Sequence, residues 1–122
     1  MKFTTEKPQG NFIQSYLPGE IHLRDQVLHT HTILSADLII ADWQPAEFDD
    51  LSIADFKPAL AHQPEILLFG TGPAQRFPAL SLLTEIMRAG TAIEVMQTDA
   101  ACRTFNILIA ENRAVMAALL IS

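Results

Sequence analysis

The sequence predicts a single α/β domain with a mixed, mostly parallel sheet, helices on the faces of that sheet and an N-terminal β-hairpin extension. Three observations indicate this fold. The C-terminal half alternates short apolar runs with segments of helical periodicity, as strands joined by crossover helices do. The N-terminal third combines turn formers with alternating apolar residues, a pattern typical of hairpins. A length of 122 residues fits one core, so residues 1–122 are predicted to form one domain.

Composition and charge narrow the function classes. Apolar residues make up 49% and charged residues 18% of the chain, and the mean hydropathy is +0.21, so the chain has to bury large surfaces. The net charge of -6 opposes phosphate neutralisation, which argues against a nucleic acid partner. No run approaches the ~18 apolar residues of a membrane span, and the start lacks a signal-peptide pattern. We therefore expect a cytoplasmic location without membrane insertion.

The N-terminal half is predicted element by element from turn and strand signals. Residues 1–19 contain five strong turn formers after a β-prone start at residues 3–5 and predict an extended, loop-rich arm. Residues 21–23 alternate apolar and polar side chains, and residues 27–34 are rich in Val, Ile and Thr, so the two segments predict a hairpin. The apolar run at residues 38–41 predicts a short strand covered on both faces. Residues 47–63 predict two short helical turns, because Pro58 interrupts the helical pattern.

The C-terminal half begins with a predicted central strand at residues 66–69, which the Gly70–Gly72 turn closes. A helix follows with Pro78 at its first position, an apolar side at helical spacing and Gly90 as its left-handed cap. That apolar side consists of Leu80, Leu83, Ile86 and Met87.

The last two strands flank a second helix. Residues 92–96 predict a strand, after which Thr98 is expected to cap the helix. The apolar side of that helix comprises Ala101, Phe105, Leu108 and Ile109. Asn112 tolerates the left-handed conformation that ends a helix, and residues 115–121 predict a final strand.

The first candidate binding site is the turn made by Gly70, Thr71 and Gly72, together with Arg76. Backbone N–H groups at the end of a strand bind anions when a helix follows, and an arginine adds charge. The dinucleotide fingerprint, however, requires a third glycine where Gln75 stands, and a phosphate-loop Gly-Lys-Ser/Thr ending is absent. Positive φ alone also explains glycines in such a turn. Anion binding and a purely structural turn therefore both remain open.

The second candidate site is a polar stripe on the last helix, made by Asp99, Arg103 and Asn106. The spacing of four residues lets Asp99 meet Arg103. A solvated helix face explains the same pattern, and an exposed pair of this kind contributes only about 0.3 to 0.5 kcal/mol. A ligand-binding stripe and an ordinary surface therefore both remain possible.

Several single residues carry weaker signals. His29 and His31 share a face if residues 27–34 form a strand, but a third metal ligand is missing, so no metal or other cofactor is expected. Cys102 is the only cysteine, which excludes an intramolecular disulfide and fits a reducing compartment. Its place in the first turns of a helix would favour a nucleophilic thiol, whereas its apolar flank favours a buried one. Ile107 breaks the polar side of the same helix and could contact a second copy of the chain.

Two runs of sequence resemble a known family. They are Glu65 to Gly72, which reads EILLFGTG, and Glu94 to Asn106, which reads EVMQTDAACRTFN. Together with the closing residues 108–120 they resemble a family of small domains of unknown function. That family includes the mitochondrial respiratory complex I assembly factor number three and the adipogenesis-associated single-domain protein. Phe105 stands where the family commonly has tyrosine, and Asn112 where it commonly has glycine.

The resemblance implies a mixed sheet with helices on its faces, and it favours a noncatalytic protein-binding or assembly module. By the same resemblance, that module would serve the biogenesis of a respiratory or other membrane complex. No family catalytic residue can be transferred, and the chain carries no complete catalytic constellation. The alternative is a small-molecule or anion-binding protein, or an enzyme, that uses the two candidate sites. A homo-oligomer built through Ile107 or the N-terminal arm is a third possibility.

Overall fold

The computed structural model describes residues 10–122, so the predicted β-prone start at residues 3–5 lies outside the described residues. The strands in chain order are β1 Ile13–Leu17, β2 Glu20–Leu23, β3 Val27–Leu28, β4 Thr32–Ser35, β5 Ile39–Ile40, β6 Ile66–Thr71, β7 Ala92–Met96 and β8 Val115–Leu120. The helices are α1 Ile53–Leu60, α2 Leu80–Arg88 and α3 Thr98–Ala110, and a 3₁₀ turn at Phe48–Asp50 precedes α1.

The main sheet has five strands in the order β5-β4-β8-β6-β7. Strand β6 pairs in parallel with β7 and β8, whereas β4 pairs antiparallel with β5 and β8. The mixed α/β architecture is therefore confirmed, but the sheet is only partly parallel. The connection between β4 and β5 is too short for a crossover, which takes a dozen residues or more, so these strands have to run antiparallel.

A separate sheet of three antiparallel strands, β1-β2-β3, forms the N-terminal extension. The predicted hairpin is confirmed as β2 and β3, and β1 adds a further antiparallel strand to β2. The loop-rich arm expected over residues 1–19 is therefore wrong where β1 lies. The turn between β1 and β2 is at Gly19, whose φ is 86°. The single strand predicted at residues 27–34 is wrong as well, since β3 and β4 belong to different sheets. Between them, Thr30 and His31 use their side chains to bond other segments.

Pro58 does not break the helix that contains it. It lies exposed in α1, so the expected interruption at this residue is wrong. The carboxylate of Asp55 accepts the N–H of Ser52 at 2.9 Å and stabilises the first turn. Phe56 and Ala59 are fully buried on the opposite side, and their packing outweighs the backbone hydrogen bond that proline removes.

The main sheet divides the core into two parts. On one face, α3 and the N-terminal sheet pack against side chains such as Leu68. On the other face, α1 and α2 pack against Leu67 and Phe69. Both faces of β6 are therefore covered, which explains why Leu67, Leu68 and Phe69 are all buried. By contrast β5 is a half-buried edge strand, so the prediction that it is covered on both faces is wrong.

Helix α2 lies where the sequence predicts it, and Gly90 follows it with a φ of 100°. Pro78 precedes the helix, which begins at Leu80. Its buried residues are Leu82 and Ile86, whereas Leu80 and Met87 are exposed. The predicted apolar side is therefore confirmed for Ile86, is half-buried at Leu83 and is wrong for Leu80 and Met87. The predicted apolar side of α3 is confirmed for its fully or largely buried members Ala101, Phe105 and Ile109, and Asn112 ends the helix with a φ of 60°.

Candidate functional site

The Gly70–Gly72 segment lies where the parallel strands β6, β7 and β8 have their C-terminal ends. Open α/β sheets commonly bind ligands at this end. Gly70 and Thr71 still belong to β6, and the chain turns only at Gly72, whose φ is 92°. The predicted three-residue turn is therefore wrong in its first two residues.

Gly70 is needed because α3 approaches the strand closely. A Cβ atom at this position would lie 2.9 Å from Leu119 Cδ2 and 2.9 Å from Thr98 Oγ1. Such distances are too short for carbon contacts, so any side chain would push the first turn of α3 away from the sheet. This glycine serves packing.

Thr98 links the Gly72 turn, α3 and β8. Its fully buried hydroxyl accepts the N–H of Gly72 at 2.8 Å and donates to the carbonyl of Leu120 at 2.6 Å. Its own N–H donates to the carbonyl of Gly72 at 2.9 Å. Thr98 is the first residue of α3, and its hydroxyl does not cap the helix, so the predicted capping role is wrong. The Gly72 N–H, on which an anion would depend, is already bonded within the protein.

Thr71 closes the loop that follows β6. Its hydroxyl donates to the carbonyl of Ala74 at 2.6 Å and accepts the N–H of Arg76 at 3.2 Å. Gln75 extends in the other direction, and its Nε2 donates to the carbonyl of Val95 in β7 at 3.1 Å. Hydrogen bonds within the loop, and that from Gln75 to the edge strand β7, therefore hold the loop in place.

Arg76 lies on an aromatic surface. Its guanidinium carbon is 4.0 Å from the centroid of the Phe48 ring. The Phe48 ring in turn stacks on buried Phe69, with centroids 6.1 Å apart and an interplanar angle of 12°. Cation-π attraction therefore holds Arg76 on the face of the sheet that carries α1 and α2.

Asn106 fastens α3 to the N-terminal sheet. Its Oδ1 accepts the N–H of Ile13 at 2.8 Å, and its Nδ2 donates to the carbonyl of the same residue at 2.8 Å. The side-chain amide therefore pairs with the β1 backbone as a neighbouring strand would. Sequence reasoning found this residue but could not foresee its partner, which is 93 positions away.

The predicted site residues fall into three places. Asp99 and Arg103 form the expected exposed pair, with Oδ2 and a terminal guanidinium nitrogen 3.3 Å apart. Asn106 is hydrogen-bonded to β1, and Arg76 lies on the opposite face of the sheet from α3. Two of the predicted residues adjoin the glycine segment: Arg76, whose backbone N–H bonds Thr71, and Asp99, which follows Thr98. Anion binding at these residues stays a prediction.

Cys102 is a buried residue of α3. Burial, and to a smaller extent the charge of Asp99, raise the pKa of this thiol to about 12. The thiol is therefore protonated at neutral pH, which contradicts the nucleophilic reading and agrees with the buried one.

His29 and His31 line one cavity of about 410 Å³, together with Asp42 and Gln44. The Nδ1 atom of His31 accepts the N–H of Ile121 at 3.0 Å, which places the ring proton of the neutral side chain on Nε2. Burial lowers the pKa of His31. Among residues 10–122, no three His, Cys, Asp or Glu side chains are grouped closely enough to hold a metal ion.

Sequence reasoning missed a group of exposed apolar side chains around α2. Phe77 is 66%, Leu80 75% and Met87 52% exposed. Leu80 and Met87 are seven residues apart, so they lie on nearly the same side of the helix, and Phe77 lies three residues before the helix begins at Leu80. We call these three residues the α2 ridge. The available signal was the spacing of four residues between Leu82 and Ile86. These two residues already supply a buried side of the helix, which leaves Leu80 and Met87 without a place in the core.

The described helices were also considered as membrane spans. None of those within residues 10–122 combines the length and the apolar character needed to cross a bilayer.

The fold and these side chains define a class: a small α/β domain with a mixed sheet, in which the glycine segment at the end of the central strand serves packing. Residues 13–120 match the family described as "Protein of unknown function (DUF498/DUF598)". The chain belongs to this family, as its sequence resemblance implied.

Individual relatives agree with this assignment. The chain is 35% identical to the "13 kDa major membrane protein" of Francisella tularensis, over 93% of this chain and 94% of the relative. It is 29% identical to "NADH dehydrogenase [ubiquinone] 1 alpha subcomplex assembly factor 3" of Danio rerio, over 94% of this chain and 67% of that protein. A crystal structure of a Bordetella parapertussis protein superposes with a TM-score of 0.84 at 29% identity, covering 96% of this chain and all of that one.

Proposed function

We propose that this domain is a noncatalytic protein-binding module of the assembly-factor kind and that the α2 ridge is its contact surface. The observation that carries the proposal is the exposure of Phe77, Leu80 and Met87, all of which lie within residues 77–87. The other large exposed apolar residues of the described chain, Leu17, Val27 and Ile107, belong to β1, β3 and α3. A local cluster of apolar side chains marks an interaction surface more strongly than scattered ones do.

Covering the ridge is energetically favourable. Full burial of one such side chain contributes about 1.5 to 3 kcal/mol, and all three members are more than half exposed. A partner that covers them therefore gains several favourable contacts without any rearrangement of the core below, which Leu82 and Ile86 already fill.

The relatives support the choice of an assembly role. The Danio rerio protein is named as an assembly factor of NADH dehydrogenase, and this chain spans 67% of its length. We extend the proposal to the biogenesis of a respiratory or other membrane complex, with the domain acting from the cytoplasm. The buried, protonated Cys102 thiol is compatible with that reducing compartment.

Affinity capture from native lysate tests the proposal. The wild type is compared with a double variant, Leu80→Ser with Met87→Ser, and with a control, Leu17→Ser with Ile107→Ser, which removes two equally exposed apolar residues elsewhere. Quantitative mass spectrometry should show a protein that the wild type and the control enrich and the ridge variant loses. Equal enrichment by all three proteins contradicts the proposed surface.

Light scattering on the same proteins separates a foreign partner from a second copy of the chain. A monomeric wild type that still captures its partner is the expected result. A dimer that the ridge variant dissociates would replace the foreign partner by self-association.

A further inference from the structure

Two arginines bracket the α2 ridge. Arg76 directly precedes Phe77, and Arg88 directly follows Met87, and both arginines are exposed. Within residues 10–122 neither of these two arginines forms an ion pair, whereas Arg103 pairs with Asp99 and Arg113 with Glu65. The chain has 14 acidic against 8 basic residues. Two arginines at the ends of one apolar surface, neither paired with a carboxylate in the described part of the chain, are therefore unusual in this protein.

Arg76 is preorganised for binding a carboxylate. The guanidinium carbon lies over the Phe48 ring, 4.0 Å from its centroid, which is close enough for the planar group to stack on the ring. The N–H donors lie in the guanidinium plane and point outward from its rim, so stacking leaves them available for a bidentate carboxylate. The backbone of Arg76 is held as well, because its N–H donates to the Thr71 hydroxyl. Binding through this side chain therefore costs little additional conformational entropy.

Arg88 supplies the second charge at the other end of the ridge. It lies in the last turn of α2, where a cation also complements the helix dipole. Leu80 and Met87 are separated by about 10 Å along the helix axis. A partner segment of two to three helical turns is long enough to cover both side chains and to reach an arginine at each end.

We infer that the α2 ridge binds an amphipathic helix of a partner protein, whose apolar side chains cover Phe77, Leu80 and Met87 and whose carboxylates bind Arg76 and Arg88. The inference rests on the proposed function and specifies the chemistry of the partner. Amphipathic helices recognise apolar surfaces through side chains three and four residues apart, and the arginines add register and specificity through complementary charge.

The charge of the chain favours a protein over a lipid surface. An anionic bilayer is an extended negative surface, and the net charge of -6 opposes its approach. Carboxylates on a partner helix act locally, and charges more than about 8 Å away are largely screened at physiological ionic strength. Two arginines are therefore sufficient to attract the carboxylates of a partner helix. They are insufficient to attract the whole chain to an anionic membrane.

A phage-displayed library of helical 16-residue peptides, selected on the full chain, tests the inference. The enriched peptides should carry an apolar stripe with Asp or Glu at both ends. Synthetic copies should bind Arg76→Gln and Arg88→Gln about tenfold or more weakly than wild type, as expected for lost charge-assisted hydrogen bonds. Arg113→Gln is the matched control, since Arg113 pairs with Glu65 away from the ridge, and it should bind like wild type.

The outcomes separate this inference from the proposed function. Peptides that lose binding to the Leu80→Ser, Met87→Ser protein but are indifferent to both arginine variants, or that carry basic ends, overturn the inference and leave the ridge as the binding surface. If no enriched peptide depends on the ridge, both ideas fail. Cosedimentation with phosphatidylglycerol vesicles that is lost in Arg76→Gln would make lipid the occupant and would also overturn the inference.

Discussion

Helices α2 and α3 lie on opposite faces of the same sheet, and of the two only α3 also packs against the N-terminal sheet. Helix α3 packs on the sheet through Ala101 and Phe105, while β1 lies along it and is bound by Asn106. Helix α2 packs on the sheet through Leu82 and Ile86, whereas its residues Leu80 and Met87 are exposed. The N-terminal sheet therefore completes one face of the domain, and the other face ends in an apolar surface.

The difference shows that a residue pattern on a helix acquires its meaning from what covers the helix. The polar stripe of α3 looks like a binding site in the sequence, yet Asn106 uses its amide to hold β1. The apolar stripe of α2 looks like core, yet Leu80 is 75% exposed. We therefore assign α3 to the stability of the fold and α2 to the proposed contact with a partner.

The largest expected contrast between the two helices comes from truncating one apolar residue on each. Phe105 is fully buried, so Phe105→Ala should lower the free energy of unfolding by about 3 to 5 kcal/mol. Leu80→Ala changes an exposed residue and should stay within about 0.5 kcal/mol of wild type. Urea denaturation measures both values. Similar losses in the two variants would mean that Leu80, like Phe105, is part of the core.

Thr98→Val tests the bond network that holds α3 to the end of the sheet. The substitution keeps the shape of the side chain and leaves the Gly72 N–H and the Leu120 carbonyl without their partner. We expect the free energy of unfolding to fall by about 2 kcal/mol or more, because each of the two unsatisfied buried groups costs about 1 to 3 kcal/mol. Thr84→Val on α2 is the control and should be nearly neutral in urea denaturation. If Thr98→Val leaves the free energy of unfolding unchanged, water replaces the hydroxyl without cost.

The sequence predicted the C-terminal half better than the N-terminal half, for a physical reason. Strands β6, β7 and β8 and the two helices between them follow local signals: apolar runs, Gly90 and Asn112. The N-terminal strands depend on distant contacts. Thr30 bonds Asp42, and His31 bonds Ile121 from 90 positions away, which divides an apparently continuous strand into β3 and β4.

The candidate site was predictable in its residue types and not in their arrangement. The Asp99–Arg103 pair follows from a spacing of four and is confirmed. Gly70 was noticed, but its reason is the approach of Thr98 and Leu119, which belong to later elements of the chain. The α2 ridge was missed because helical spacing identifies an apolar stripe and cannot show whether anything covers it.

Asn106→Ala should loosen the N-terminal sheet selectively. It removes both bonds to Ile13, and we expect a loss of about 1 to 2 kcal/mol, with faster hydrogen exchange in β1 than in β7. Arg103→Ala breaks only the exposed pair on the same helix and should cost less than about 0.5 kcal/mol. If exchange in β1 is unchanged in Asn106→Ala, the amide does not hold that strand.

The smallest expected effect is the pH dependence that His31 contributes beside the end of β8. Its pKa in the folded chain is lowered by burial, so below about pH 6.5 the unfolded chain takes up the proton first. This contribution is therefore complete above that pH, and it is lost as the pH falls towards the lowered pKa. Urea denaturation between pH 8 and pH 5 should show a smaller acid loss in His31→Gln than in wild type. Exposed His62→Gln is the control, and an acid loss that is the same in all three proteins would contradict the assignment.

Site-specific photocrosslinking in living cells tests the uncovered face most directly. A benzoylphenylalanine placed at Phe77 samples the α2 ridge, and one placed at Ile107 samples the outer side of α3 with a similarly exposed residue, 66% against 59%. We predict a discrete crosslinked protein from position 77 that is absent from position 107 and lost when Leu80→Ser and Met87→Ser are added. Crosslinks of equal yield from both positions, or a product at position 77 that persists in the ridge variant, would contradict the assignment of α2 as the contact surface.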